Sequence, residues 1–176
     1  MEIERKFLLE SIYKYPYNNL KFIKAYSILQ GYFLNDEKYE FRIRLIKNHN
    51  KFEKAFLTIK SKDCLLSREE HEFTLNVEEA FDYLKNKCTD YVFKTRTIYD
   101  YNGKLIEFNH FLLNDKQCCI IEVEFDSEEE ANQFDYKKIL GDTVIEVTGN
   151  PNYYSRNMTI QLSSETFERL KRKMLN

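Results

Sequence analysis

Through most of the chain, apolar and polar residues alternate with a period of two, the pattern of strands with one buried and one polar face. In Glu2-Ile3-Glu4-Arg5-Lys6 the residues Glu2, Glu4 and Lys6 share a face, and a first strand is predicted over Glu2–Leu9. The pattern returns at Glu40-Phe41-Arg42-Ile43-Arg44-Leu45, where Phe41, Ile43 and Leu45 form the apolar side. It returns again at Leu57-Thr58-Ile59-Lys60, and at Arg68, Glu70 and Glu72 opposite Phe73. Further strands are predicted over 26–34, 39–47, 52–61, 70–75, 91–101, 104–111 and 118–125. Asn48-His49-Asn50 and Asn102-Gly103 supply hairpin turns, the second a strong two-residue signal.

Helical patterning is sparser. Asn76 with Glu79 reads as a capping box opening a helix to Lys87, with Ala80, Phe81 and Leu84 inward. Ser127 with Glu130 opens a second helix, and Ser164 a last one. Acidic Glu165 near the start of that helix and Lys171-Arg172-Lys173 near its end complement the helix dipole. The segment 12–24, broken by Pro16, is expected to be a loop with a short helix, and the chain is expected to return to helix beyond Thr148.

Taken together these elements give a mainly β (α+β) chain. About eight antiparallel strands with an inward charged face suggest a closed barrel, because closure removes sheet edges. The outward apolar faces then need covering helices. With 176 residues, no internal repeat and no linker, one domain over 1–176 is expected.

Composition narrows the classes. Hydrophobic residues at 43% and charged residues at 32% describe a globular chain, and a net charge of −2 lacks the basic excess of a general nucleic-acid binder. No apolar run approaches the ~18–20 residues of a membrane span, so no membrane partner is expected. The charged opening is unlike a secretory leader, and Cys64, Cys88, Cys118 and Cys119 lack Cys-x-x-Cys spacing. Reduced thiols in a cytoplasmic protein, monomer or homodimer, are the expectation. His49, His71 and His110 are scattered, and there is no Gly-rich phosphate loop.

The charged faces carry the functional signal. Basic positions (Arg42, Arg44, Lys60, Lys94, Arg96) and acidic positions (Glu2, Glu4, Glu122, Glu124) fall on different strands. Two carboxylates beside a lysine are costly to crowd together unless the acids hold a divalent cation and the lysine meets an anion. Phosphate chains bound with Mg2+ or Mn2+ call for that mixture.

At Glu2-Ile3-Glu4-Arg5-Lys6-Phe7 the chain resembles the Glu-x-Glu-x-Lys signature of the triphosphate tunnel metalloenzymes, the CYTH superfamily. Gln30-Gly31-Tyr32, Arg42/Arg44, Thr58-Ile59-Lys60-Ser61, Ser67-Arg68 with Glu70 and Glu72, Lys94/Arg96 and Glu122-Val123-Glu124-Phe125 follow in the family's order. The nearest branch is the short bacterial inorganic tripolyphosphatases. The resemblance implies an eight-stranded antiparallel tunnel holding a linear triphosphate. Lys6, Arg42, Arg44, Lys60, Lys94 and Arg96, with Arg68, would contact phosphate. Glu2, Glu4, Glu122 and Glu124 would hold Mg2+ or Mn2+. Lys6, Glu4 and Lys94 are the catalytic candidates, with Glu4 or an unprotonated Lys6 as general base. Tyr32, Glu70, Glu72, Asn109 and Tyr153 are supporting candidates.

Two departures stand out. Relatives commonly carry Glu-Leu-Asp where this chain has Glu107-Phe108-Asn109, so an expected metal-side carboxylate is an amide. The late Asp-x-Arg-Tyr-x-Asn motif reads Asn150-Pro151-Asn152-Tyr153-Tyr154-Ser155, keeping only its tyrosine. Hydrolysis of inorganic tripolyphosphate to pyrophosphate and phosphate is the leading reading. Alternatives are a class IV-type adenylate cyclase, a thiamine triphosphatase, or a polyphosphate-binding module without catalysis.

Overall fold

The computed structural model describes residues 2–10, 19–49, 51–62, 67–113 and 116–175. Its long strands are β1 (Glu2–Leu9), β2 (Lys21–Asn35), β3 (Tyr39–Asn48) and β4 (Lys51–Ser61), followed by short β5 (Ser67–Arg68) and β6 (Glu70–Leu75). After helix α1 (Val77–Lys87) come β7 (Asp90–Tyr101), β8 (Lys104–Leu113) and β9 (Lys116–Phe125). Helices α2 (Glu128–Gln133) and α3 (Tyr136–Leu140) then lead to β10 (Val144–Glu146), β11 (Ile160–Gln161) and α4 (Ser164–Leu175).

The sheet is antiparallel, in the order β10-β1-β9-β8-β7-β2-β3-β4-β6. The strand broken at Glu69 bridges its two sides: β6 pairs with β4, whereas β5 pairs with β1 through Glu2–Arg68 and Ile3–Ser67. Counting β5 and β6 as one stave gives the expected eight around a tunnel. Closure is thin, because among the described residues only the β5 pairing joins that stave to β1.

The outward apolar faces are covered on two sides. On one, Phe7, Ile106, Phe108, Ile121 and Val123 pack under Ala131, Leu140 and Val144. On the other, Leu29, Ile43, Leu45 and Ala55 pack under Ala80, Phe81 and Leu84 of α1 and Phe167 of α4. Burying each of the Phe, Ile, Leu and Val side chains contributes roughly 1.5–3 kcal/mol. Asn76 caps α1 by accepting from the Glu78 N–H at 2.8 Å, and Ser127 caps α2 by accepting from the Glu130 N–H at 3.1 Å. At the β7–β8 turn, Asn102 and Gly103 take φ of 52° and 87°, the left-handed pair that a two-residue hairpin demands.

Two expectations change, and a third difference is a strand that was not predicted. Lys21–Lys24, expected in a loop, begin β2, because pairing with β7 extends to Asp100 across an irregularity between Phe22 and Lys24; the rest of that predicted loop-and-helix, from Ile12 to Asn18, lies outside the described residues. Beyond Thr148 the chain forms two short 3-10 turns (Pro151–Tyr153 and Ser155–Asn157) and β11 before α4, in place of a continuous helix. Asn150 caps the first turn and Tyr154 stops it in extended backbone at ψ 134°, so helix cannot propagate. Third, β10 adds to the edge of β1, a strand too short for alternation to mark.

Candidate active site

Strand alternation turns the charged positions inward, and they line a cavity of about 150 Å³. Glu4, Lys6, Arg42, Arg44, Lys60, Glu70, Lys94, Arg96, Glu122 and Glu124 all lie on its wall. So do Tyr32, Glu40, Tyr154, Ser155 and Arg156. The interior is ionic only over part of its length. Tyr32, Val92, Phe111, Ile120 and Met158 form a buried apolar cluster inside the tunnel, with Leu8 and Tyr153 against it.

Register sets the pairings. Lys6 stands opposite Glu122 across β1–β9, and Glu4 opposite Glu124. Lys6 Nζ lies 2.8 Å from Glu122 and 3.0 Å from Glu4. Its backbone is fixed from the other edge, where the Lys6 N–H donates to Thr148 at 3.0 Å and its carbonyl accepts from Val147 at 2.8 Å. Burial alone would depress the Lys6 ammonium, but Glu122 and Glu4 outweigh it and hold the amine protonated. An unprotonated Lys6 is therefore a poor choice of base.

Glu122 is the hub of the acidic wall. It accepts from Lys6 on Oε1, and on Oε2 from Arg96 at 2.9 Å and Asn109 at 3.0 Å. Burial would raise this carboxyl, yet Lys6, Lys94 and Arg96 hold it well below the usual range. Arg96 also pairs with Glu107 and donates to Asn109 Oδ1 at 2.8 Å. Asn109 is fully buried, and its amide spans Arg96 and Glu122. It does not line the cavity itself and meets the wall only through Arg96 and Glu122.

The opposite wall is short of acid. Lys60 meets Glu70 at 2.6 Å, and Arg42 reaches the same carboxylate at 3.6 Å. Buried Nε of Arg42 and Nε of Arg44 have no hydrogen-bond partner. Lys94 is buried over the Phe111 ring at 5.1 Å, with no carboxylate in ion-pair range among the described residues. Burial, then Arg96, pushes the Lys94 amine well below its ordinary value, and burial with Arg42 lowers Arg44 to about 10. Seven basic side chains line the cavity against five acidic ones. Buried cations left this way are costly until an anion joins them.

The remaining predicted residues fall less centrally. Glu72 is exposed and accepts from Thr58 at 3.4 Å. Tyr153 packs against the apolar cluster, and its neighbour Tyr154 lines the cavity instead. The side chains of Glu2 and Arg68 lie outside the described residues. Glu40 is a wall residue that was not expected, although it shares the alternation of Arg42 and Arg44 and could have been found there. Ser155 and Arg156 were not expected either, and they sit in 3-10 turns where no period marks a face.

The CYTH domain family model matches residues 1–147. The chain belongs to the CYTH family. An inorganic triphosphatase of Acetivibrio thermocellus is 30% identical over 158 residues, covering 89% of this chain and 92% of that protein. A solved inorganic triphosphatase superposes with TM-score 0.60 at 27% identity, covering 92% of this chain and 96% of its own. A Hippeastrum protein described as a putative adenylyl cyclase with dominant triphosphatase activity shares the fold, at TM-score 0.57 and 18% identity over 75% of this chain and 83% of its own. CYTH enzymes of this kind work with a divalent metal, and the donor chemistry here suits a hard cation. Glu4 stands opposite Glu124 across β1–β9, beside the Lys6 ammonium at 3.0 Å, and such carboxylate oxygens are the donors a hard divalent cation takes. Glu122 fits less well, since both its oxygens are already engaged. No helix among the described residues is long and apolar enough to cross a membrane.

Proposed function

We propose that this chain is an inorganic triphosphatase that cleaves a linear triphosphate to pyrophosphate and phosphate, with Mg2+ or Mn2+, in the cytoplasm. The observation that carries the reading is the buried cavity whose Arg42, Arg44 and Lys94 lack sufficient counter-charge. A polyanion supplies it. Arg42, Arg44, Lys60, Lys94 and Arg96 grip phosphate oxygens and hold the chain in line for attack by water. Glu4 and Glu124 would hold the cation, which supplies charge neutralisation on the phosphoryl oxygens.

Lys6, kept protonated by its two carboxylates, adds positive charge where the leaving pyrophosphate develops its own. Glu122 fixes the positions of Lys6 and Arg96. Lys94, buried over the Phe111 ring with no carboxylate in ion-pair range among the described residues, is the wall cation that gains most as negative charge builds on the transferring phosphoryl group. The cyclase and thiamine triphosphatase readings need room for an organic group. The aromatic rings on the wall are those of Tyr32 and Tyr154, and Tyr32's face carries the Arg156 guanidinium at 5.1 Å.

Kinetics of Arg44→Ala and Lys94→Met test the assignment. Arg44→Ala should raise KM for tripolyphosphate by tenfold or more, since a charge-assisted contact contributes ~1.5–3 kcal/mol. Lys94→Met should lower kcat more than it changes KM. Wild-type kinetics in both would place the substrate elsewhere.

A further inference from the structure

We propose that Arg156 is a phosphate-binding residue of this cavity, supplied from beyond the sheet and aimed by the face of Tyr32. The inference rests on the triphosphatase reading and adds a ligand to it. Arg156 lies outside residues 1–147, the span that matches the family model, and outside the late motif, whose arginine position is Asn152 here.

Three observations converge on this residue. Its guanidinium sits 5.1 Å from the centroid of the Tyr32 ring, a cation–π contact that holds the group against that ring. Tyr32 is itself buried, and its hydroxyl accepts from Gln30 at 2.7 Å, so the platform is rigid. Arg156 Nη1 is buried without a hydrogen-bond partner, and no carboxylate among the described residues pairs with the guanidinium. The side chain nevertheless lines the same cavity as Arg42, Arg44, Lys94 and Arg96.

A guanidinium placed to brace the fold would be met by a carboxylate or carbonyls, as Arg5 is by Glu146, Ala131 and Phe134. Arg156 instead brings an unsatisfied donor to a space already rich in positive charge. Such an arrangement costs energy in the empty protein and is relieved by an anion.

The segment that carries Arg156 is anchored on both sides. The Asn157 side chain donates to the Pro151 carbonyl at 2.8 Å, and the Met158 N–H donates to the Ser155 carbonyl at 3.2 Å. Met158 is buried beside Tyr32, Val92, Phe111 and Ile120, and Ile160 then pairs with Tyr91 on β7. These contacts put Arg156 where the ionic part of the tunnel meets its apolar cluster. Its planar pair of N–H groups can hold two oxygens of one phosphate there.

The test is steady-state hydrolysis of tripolyphosphate with Mg2+ by the full chain, for wild type, Arg156→Gln and Arg156→Lys, beside the melting temperature of each without substrate. Arg156→Gln should raise KM tenfold or more, the scale of one lost charge-assisted hydrogen bond. Arg156→Lys, which keeps the charge and loses the two-pronged donor, should fall between it and wild type. A lower melting temperature with unchanged KM would assign Arg156 to bracing the fold and overturn the proposal. If wild type turns over and all three share one KM, Arg156 does not bind phosphate. If wild type has no turnover, the triphosphatase reading fails first, and the two failures are told apart.

Discussion

Asn109→Asp restores the carboxylate that relatives commonly carry, and the structure makes its outcome unlike a simple gain of a metal ligand. The Asn109 amide donates to Glu122 Oε2 at 3.0 Å and accepts from Arg96 Nε at 2.8 Å, fully buried. A carboxylate keeps the acceptor and loses the donor. Two unit charges 3.0 Å apart repel by about 5–6 kcal/mol at an effective dielectric of 20. The new attraction to Arg96 at 2.8 Å is of the same size, so the Coulomb terms largely offset. What remains is the lost hydrogen bond to an ionised acceptor, about 2 kcal/mol. For a chain of this length that lowers Tm by roughly 4–8 °C.

The assay is thermal unfolding of wild type and Asn109→Asp in EDTA, repeated with Mn2+. Mn2+ affinity should be no tighter in the variant, since Asn109 does not line the cavity. The sign with pH follows from the chemistry: the introduced carboxylate, crowded by Glu122, gains a proton as pH falls into the carboxylate range and can then donate again. The gap between the two proteins should therefore narrow on acidification. Equal Tm values at pH 7 in EDTA, or markedly tighter Mn2+ binding by the variant, would refute this geometry and return Asn109 to the metal side.

Two further predictions concern the scaffold. A methyl group added at Gly31 would lie 2.6 Å from Leu84 Cδ2 and 2.9 Å from Cys88 Cβ and Sγ. Gly31→Ala should therefore push α1 off the sheet and cost about 1–3 kcal/mol in denaturant unfolding; an unchanged midpoint would mean that α1 packs less closely. Arg5 grips Glu146 with two hydrogen bonds of 2.8 and 2.7 Å, which with Thr148 hold the Glu146 carboxyl below its ordinary value. A depressed carboxyl stabilises the fold above its unfolded pKa, and that stability is lost as pH falls through the folded value. Glu146→Gln should thus lower Tm at pH 7 and approach wild type as pH drops below about 4; a gap that widens on acidification would reverse the sign of this linkage.

Much of the site was legible because strands write faces into sequence. The alternation that separates Arg42 and Arg44 from Ile43 and Leu45 is the one that turns them into the cavity, and it reached Lys60, Lys94, Arg96 and Glu122 as well. Alternation gives a side but not a depth. Asn109 and Glu107 share the inward series with Glu122, yet Asn109 does not line the cavity itself, which only cross-strand register reveals. Nor does alternation say who neutralises whom. Lys6, proposed as a base, is held as a cation by Glu4 and Glu122, while the amine starved of counter-charge is Lys94. The apolar cluster around Tyr32 and Phe111 was hidden because inward apolar residues on a strand read like outward ones. Beyond Thr148 the short 3-10 turns carry no period, so Arg156 left no signal in the sequence.

Whether this cavity cleaves an inorganic triphosphate with the help of a divalent cation is decided by product analysis. The full chain is incubated with tripolyphosphate, and separately with ATP, in Mg2+, in Mn2+ and in excess EDTA. One pyrophosphate and one phosphate should appear per tripolyphosphate with either metal. ATP should turn over little and give no cyclic AMP, and turnover should cease in EDTA. Full turnover in chelator, or cyclic AMP as the main product from ATP, would overturn the triphosphatase reading.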